Sequence, residues 1–275
     1  MNLIEKITLF RSESGSLSYA IRRKMSRGKI PRILLNRTNS KFFNHSARRV
    51  NQIMGTKNYS YLEIGVASGT TLQCISATEK VGVDPLPLFN IAKLPKDMSF
   101  YKMTSDDYFS LLEAEKKFDF IFLDGLHEFD QLLKDFIHSL KHINLGGWIL
   151  IDDVVPSDSI SALPNIETSY SARGVGMNEG YPWHGDCYKI LPVIFENFSN
   201  LEAFLIIYPD NPQLLVRINQ DFTNVNLDTT SLKKQFANID YFEVFSRNAF
   251  QKFPIYVEEI LFKELKDRDL LANNF

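Results

Sequence analysis

The sequence predicts an α/β fold: a doubly wound, seven-stranded, mostly parallel sheet with helices on both faces. Two observations carry this. From residue 58 onward, short apolar runs alternate with segments of helical periodicity, the pattern of βαβ units with right-handed crossovers. Several of those runs end in Gly, Pro or Asp, the residues that close a buried strand.

The elements follow in order. YSYLEIGV (59–66) reads as a buried strand running into a Gly-bearing turn, and TTLQCISA (70–77) as a helix. KVGVDP (80–85) is a second strand stopped by proline. SFYKMT (99–104) is a third, followed by the helix DDYFSLLEAE, and DFIFLD (119–124) is a fourth. In EFDQLLKDFIHSLKHI (128–143), Phe129, Leu132, Leu133, Phe136, Ile137, Leu140 and Ile143 keep helical spacing. Asn144 and Gly146-Gly147 are expected to cap that helix in the left-handed region. GWILIDD is the fifth strand. A long loop (156–182), the helix CYKILPVIFENF and the strands LEAFLIIYP and QLLVRIN complete the core, and the last fifty or so residues read as irregular helix. Three segments result: a basic helical extension (1–57), a core (58–220) and a C-terminal helical tail (221–275).

Composition narrows the function classes. With 44% hydrophobic and 23% charged residues, the 275-residue chain has the balance of a soluble globular protein. Two distant cysteines, Cys74 and Cys187, with no CxxC, speak against a disulfide framework or a cysteine zinc site and for a reduced, cytoplasmic setting. No run reaches the length of a membrane span, and the N-terminus lacks the apolar centre of a signal peptide. The net charge of −2 hides an asymmetry: residues 1–57 hold thirteen Lys and Arg against two Glu, the remainder eighteen against thirty-one acids. Such an arm suits a polyanion, a membrane face, a neighbouring subunit in a homo-oligomer, or the chain's own acidic body. Its basic residues are not interleaved with stacking aromatics, which disfavours nucleic acid.

Ligands of open α/β sheets sit beyond the carboxyl ends of the strands. There the loop EIGVASGTT brings Glu63, Gly65 and Gly69. It lacks GxGxxG and a Walker lysine, so dinucleotide and phosphate-loop readings weaken. Asp84 ends the second strand, where an acid accepts hydrogen bonds from ribose hydroxyls.

ExGxxxG after strand one, an acid ending strand two and FDFIFLDG as strand four together resemble class I S-adenosylmethionine-dependent methyltransferases, whose core is Rossmann-like. The resemblance covers about 59–155 and extends loosely beyond. It implies that the Gly65–Gly69 loop wraps the amino-acid part of S-adenosylmethionine and that Glu63 also contributes. Asp84 would hold the ribose, and Ser105 and Asp106 would border the adenine.

The fourth and fifth strands are expected side by side, so Asp124, Asp152 and Asp153 should converge. Three carboxylates at one edge repel unless neutralised, and a hard divalent cation with oxygen ligands, Mg²⁺, does this well. The arrangement is similar to metal-dependent O-methyltransferases of the catechol and macrolide-sugar types. His127 stands where the catechol type has a lysine that removes the hydroxyl proton, which makes it the candidate general base. DGxH here looks like the sugar-modifying relatives. Trp183, His184 and Asp186, in YPWHGDCYK (181–189), are candidate acceptor contacts; Asp186 also suits an N-cap for the helix that follows. The resulting expectation is an O-methyltransferase acting on a hydroxyl of a saccharide or glycosylated small molecule. Rivals are a metal-independent methyltransferase, a polyanion- or membrane-binding protein on the same scaffold, and an iron oxygenase. The oxygenase's two-histidine-one-carboxylate set is not evident in the sequence.

Overall fold

In the computed structural model, the described residues are 44–271 apart from 57, 96, 175, 177–180, 224, 226, 247–249 and 251. Most of the basic extension therefore lies outside them. Its described part is α1 (His45–Met54), capped by the Asn44 side chain accepting from Ala47 N–H at 2.7 Å.

The strands are β1 (Ser60–Ile64), β2 (Glu79–Val83), β3 (Met98–Tyr101), β4 (Phe118–Leu123), β5 (Ile143–Ile151), β6 (Glu202–Tyr208), β7 (Gln213–Arg217) and β8 (Ile255–Val257), in the order β3-β2-β1-β4-β5-β7-β6-β8. All pairs are parallel except those made by β7. The order reverses at the β1/β4 pair, the switch point at which ligand crevices form. The remaining helices are α2 (Thr70–Cys74), α3 (Ser105–Leu111), α4 (Phe129–Lys141), α5 (Ile166–Ala172), α6 (Ile190–Asn197), α7 (Thr229–Phe236), α8 (Tyr241–Phe245) and α9 (Glu258–Asp267).

Alternation along each strand splits the core in two, as side chains two apart share a face. Leu62, Ile64, Ile121, Leu123, Ile149 and Ile151 pack with α4 and α6. Tyr61, Phe120, Phe122, Trp148 and Leu150 pack with α1, α2 and α9. Both faces are covered, which explains why the strands read as continuous apolar runs.

Three expectations change. The sheet has eight strands among the described residues, the eighth being the three-residue edge strand β8. It is too short to give a periodic signal and lies inside the segment read as helical tail. Second, Asn144 and Gly146-Gly147 do not cap α4. That helix ends at His142, whose N–H reaches the carbonyls of His138 and Ser139. The glycines form an irregularity within β5, where the pairing jumps from Phe118↔Ile143 to Phe120↔Trp148. Gly146 is left-handed (φ 81), and a β-carbon on Gly147 would lie 2.8 Å from the Asn144 carbonyl oxygen. Third, the 156–182 stretch is not bare loop: it contains α5, capped by the Asn165 side chain.

Candidate active site

The strand ends are level. Asp124 N–H donates to Ile64 O and Asp152 N–H to Leu123 O, so each acid is the first residue beyond its strand. Gly65 (φ 84) lets the loop after β1 cross this edge: a β-carbon there would sit 1.9 Å from the Asp124 carbonyl oxygen. Gly69 (φ 74) closes the loop as the left-handed residue before α2.

Asp84 organises that loop. Its Oδ2 accepts from the Val66 and Ala67 amides at 2.9 and 2.8 Å, and its Oδ1 accepts from Leu86 N–H at 2.7 Å. Each carboxylate oxygen takes more than one hydrogen bond, so Oδ1 keeps capacity for a ribose hydroxyl.

Glu63, by contrast, lies in the core. It is 1% exposed, and its Oε2 accepts from Tyr61 Oη at 2.7 Å. Burial drives its carboxyl well above the usual range, with Asp124 and Asp84 adding to the shift. Glu63 packs beneath the loop, because residues two apart on β1 share the face that meets α2.

Ser105 and Asp106 are tied to α4. Gln131 Nε2 lies 3.0 Å from Ser105 Oγ, 2.9 Å from Asp106 Oδ1 and 3.0 Å from Asp135 Oδ1. Burial pushes the Asp135 carboxyl up to about 6. Asp135 carried no sequence signal beyond its place on the apolar face of a helix.

At the chemical end, Asp124, His127 and Asp153 offer ligand atoms all within 4.8 Å of one another. His127 Nε2 is 2.9 Å from Asp153 Oδ2 and 3.7 Å from Asp124 Oδ1. Its Nδ1 is 3.2 Å from the Trp183 carbonyl oxygen. A carbonyl only accepts, so the proton sits on Nδ1 and, in the neutral ring, Nε2 presents its lone pair to the acids. Burial alone would lower the His127 pKa, but Asp153 and Asp124 outweigh it and raise it to about 11. Burial raises Asp124 to about 6, against the pull of its His127 hydrogen bond. The His127 and Asp124 side chains remain 27% and 33% exposed, so solvent reaches the group.

The trio differs from the expected Asp124, Asp152 and Asp153. Asp152 Oδ1 accepts from the Asp153 amide at 2.9 Å, and its Oδ2 faces Asn211 Nδ2 at 3.3 Å. Asp152 therefore braces the left-handed Asp153 (φ 59), and His127 takes its place among the converging donors. The two carboxylates at this spacing suit a hard divalent cation, and the imidazole nitrogen beside them is placed to take a proton.

The 181–189 cluster reaches the site, though not as expected. Trp183 Nε1 donates to Leu163 O at 2.7 Å, and its ring lies 5.3 Å from that of His127 at 30°. It thus lends its carbonyl and a ring face to the histidine. His184 Nε2 is 3.8 Å from Asp153 Oδ1, so two imidazoles flank one carboxylate, a convergence that the sequence did not reveal. Asp186 is engaged by the protein's own groups. It is 8% exposed, its Oδ1 accepts from Phe129 N–H at 2.7 Å, and its Oδ2 pairs with Lys189 Nζ at 2.9 Å. It caps α4 across 57 residues rather than the helix that follows it. Gly185, which sequence reasoning passed over, makes this docking possible.

Residues 62–154 match the family model described as a methyltransferase domain. The chain carries a methyltransferase domain. The matched stretch runs from within β1 to just past β5 and includes the loop after β1, Asp84, Asp124, His127, Asp152 and Asp153. An uncharacterised protein of Acanthamoeba polyphaga mimivirus is 29% identical over 114 residues, 34% of this chain and 51% of that protein. The chain thus spans about half the length of the curated relative it matches. Among solved structures, an O-methyltransferase from Bacillus cereus in complex with SAH is 17% identical, with a TM-score of 0.43 and coverage of 75% of this chain and 91% of that one. The O-methyltransferase TomG from Streptomyces achromogenes, in complex with SAM, is 13% identical, with a TM-score of 0.45 and coverage of 76% and 90%. Outside the methyltransferase domain match lie α1, the 181–189 cluster, β6–β8 and α9.

Proposed function

We propose that this chain is an S-adenosylmethionine-dependent O-methyltransferase, assisted by Mg²⁺, whose acceptor is a hydroxyl of a sugar or glycosylated small molecule. The observation that carries the reading is His127 Nε2 aimed at Asp153 and Asp124 just past the ends of β4 and β5, in a chain with a methyltransferase domain.

S-adenosylmethionine supplies an electrophilic methyl group on sulfonium, and its transfer needs an in-line oxygen that has lost its proton. The loop Gly65–Gly69 and Asp84 would hold the donor; Ser105 and Asp106, fixed by Gln131, would flank its base. Asp124 and Asp153 would hold the cation, which lowers the pKa of a bound hydroxyl. His127 would take the proton through Nε2, its tautomer set by the Trp183 carbonyl. In the arrangement described, His127 holds a proton in an ion pair with Asp153, so it becomes a base only when that carboxylate's charge is drawn elsewhere. The same two acids that would bind the cation thereby control the histidine.

The test is methyl transfer from S-adenosylmethionine to a panel of sugar and glycoside hydroxyls, with and without EDTA, in wild type, Asp153→Asn and His127→Ala. The reading expects chelation and Asp153→Asn to abolish turnover, and His127→Ala to lower kcat by roughly 10²–10⁴-fold. All three should leave binding of S-adenosylhomocysteine intact. Full activity in EDTA would establish the metal-independent alternative, and absence of S-adenosylhomocysteine binding would sink the proposal.

A further inference from the structure

Arg49, on α1, is fully buried although it is charged. A guanidinium persists there only with all-round pairing, and its partners converge on one place. Nε donates to Glu258 Oε2 at 2.6 Å. NH1 donates to Asn211 O and Gln213 Oε1, each at 2.6 Å, and NH2 donates to Asp210 O at 2.8 Å. Gln213, itself fully buried, donates onward to Ser46 Oγ at 2.7 Å. One side chain from α1 therefore grips the turn between β6 and β7 and ties it to the start of α9.

That turn lies at the catalytic edge. β7 runs antiparallel to β5, with Leu214 opposite Ile151, so the residues before β7 stand beside those after β5. Asn211 is left-handed (φ 51), and its Nδ2 lies 3.3 Å from Asp152 Oδ2. The other Asp152 oxygen accepts from the amide of Asp153, whose carboxylate belongs to the converging donor group.

We propose that Asn211, held by Arg49, is a positioning residue for the acidic end of β5, so that cation affinity depends on a turn and a helix outside the methyltransferase domain match. The inference rests on the cation reading above. Asn211 orients Asp152, Asp152 holds the Asp153 amide, and Arg49 fixes the backbone carbonyls on which Asn211 is mounted. Removing a residue that orients a ligand typically lowers metal affinity about 10- to 100-fold.

The experiment is calorimetric titration of Mg²⁺ into wild type, Asn211→Gly, Arg49→Lys, the double variant and Asp153→Asn, with thermal unfolding of each. Glycine accepts the left-handed backbone, so Asn211→Gly removes the amide group without straining the turn. The expected result is a loss of about 10- to 100-fold in Mg²⁺ affinity in Asn211→Gly, with the melting temperature close to wild type. If Arg49 acts through Asn211, the double variant binds no more weakly than Asn211→Gly alone. Wild-type affinity in Asn211→Gly, with binding abolished in Asp153→Asn, would overturn the relay and leave the cation reading standing. No Mg²⁺ binding by the wild type would overturn both. Should Arg49→Lys fail to fold, Asn211→Gly decides the matter.

Discussion

Gly185 lies so close to His127 that a β-carbon on it would come within 1.6 Å of the His127 carbonyl oxygen. Its φ of 60° is also one that other residues rarely adopt. The segment after the long loop is thus pressed directly onto the backbone of the candidate base. Gly185→Ala should lower stability by about 3 kcal/mol or more, adding overpacking to left-handed strain. Urea unfolding should show a reduced midpoint at unchanged slope. A midpoint equal to wild type would mean the two segments separate at little cost.

Asp186 invites a test that separates support from acceptor contact. Asp186→Ala removes the acceptor for Phe129 N–H and the counter-charge of the Lys189 ammonium, which is 10% exposed and keeps its bond to the Ala237 carbonyl. Losing one partner of a buried pair costs about 3–5 kcal/mol. Asp186→Asn keeps an acceptor for the amide and should recover part of that loss. A raised KM at undiminished stability in both variants would instead make Asp186 an acceptor contact.

Proton and cation should compete. His127 holds its proton to about 11 because Asp153 and Asp124 face it against the opposing effect of burial. Its ion pair contributes stability fully below the ordinary value of 6.5, and loses it as pH rises toward 11. A cation on the same acids would weaken that hold, so Mg²⁺ binding should release a proton and tighten as pH rises. Calorimetry in buffers of different ionisation enthalpy counts the protons. The rising limb of rate against pH should move lower as Mg²⁺ is raised. Mg²⁺ affinity unchanged between pH 6 and 9 would contradict this coupling.

Glu63 gives the same sign in a window that opens at lower pH. Its folded pKa lies well above the ordinary 4.5, chiefly through burial. Above that value the unfolded chain ionises the group while the folded chain keeps the proton, so folding stability falls as pH rises. Glu63→Gln, whose amide oxygen can accept from Tyr61 Oη as Glu63 Oε2 does, should abolish this slope and leave S-adenosylhomocysteine affinity unchanged. The comparison is thermal unfolding from pH 5 to 8; a slope that persists in the variant would show that other groups cause it.

Most of the sheet was legible because β1, β4 and β5 are buried on both faces and write themselves as apolar runs ending in Asp or Gly. Asp124 and Asp153 were legible for the same reason, since adjacent parallel strands bring their ends together. Asp152 was not separable from Asp153: which neighbour turns inward depends on the left-handed backbone at Asp153 and on Asn211, 59 residues further on. Asp186 was misassigned because a cap is sought locally, and here the capped amide lies 57 residues upstream. The Gly146-Gly147 pair satisfied the rule for a helix end while serving an irregular strand. The Arg49 network has no sequence signature, because an arginine in a basic segment reads as surface charge.

β8 has a consequence for solubility. Alongside β6, whose residues Ala203–Ile207 are all apolar, it pairs Ile255 with Leu205, Tyr256 with Ile206 and Val257 with Tyr208. An apolar strand with unpaired amides and carbonyls is a template for another chain. Three residues and the α9 helix behind them thus stand between this sheet and edge-to-edge association. Shortening the chain before Ile255 would bare the β6 edge and also take Glu258 from the buried Arg49 and Leu261 and Leu265 from the core, so clumping and loss of stability would arrive together.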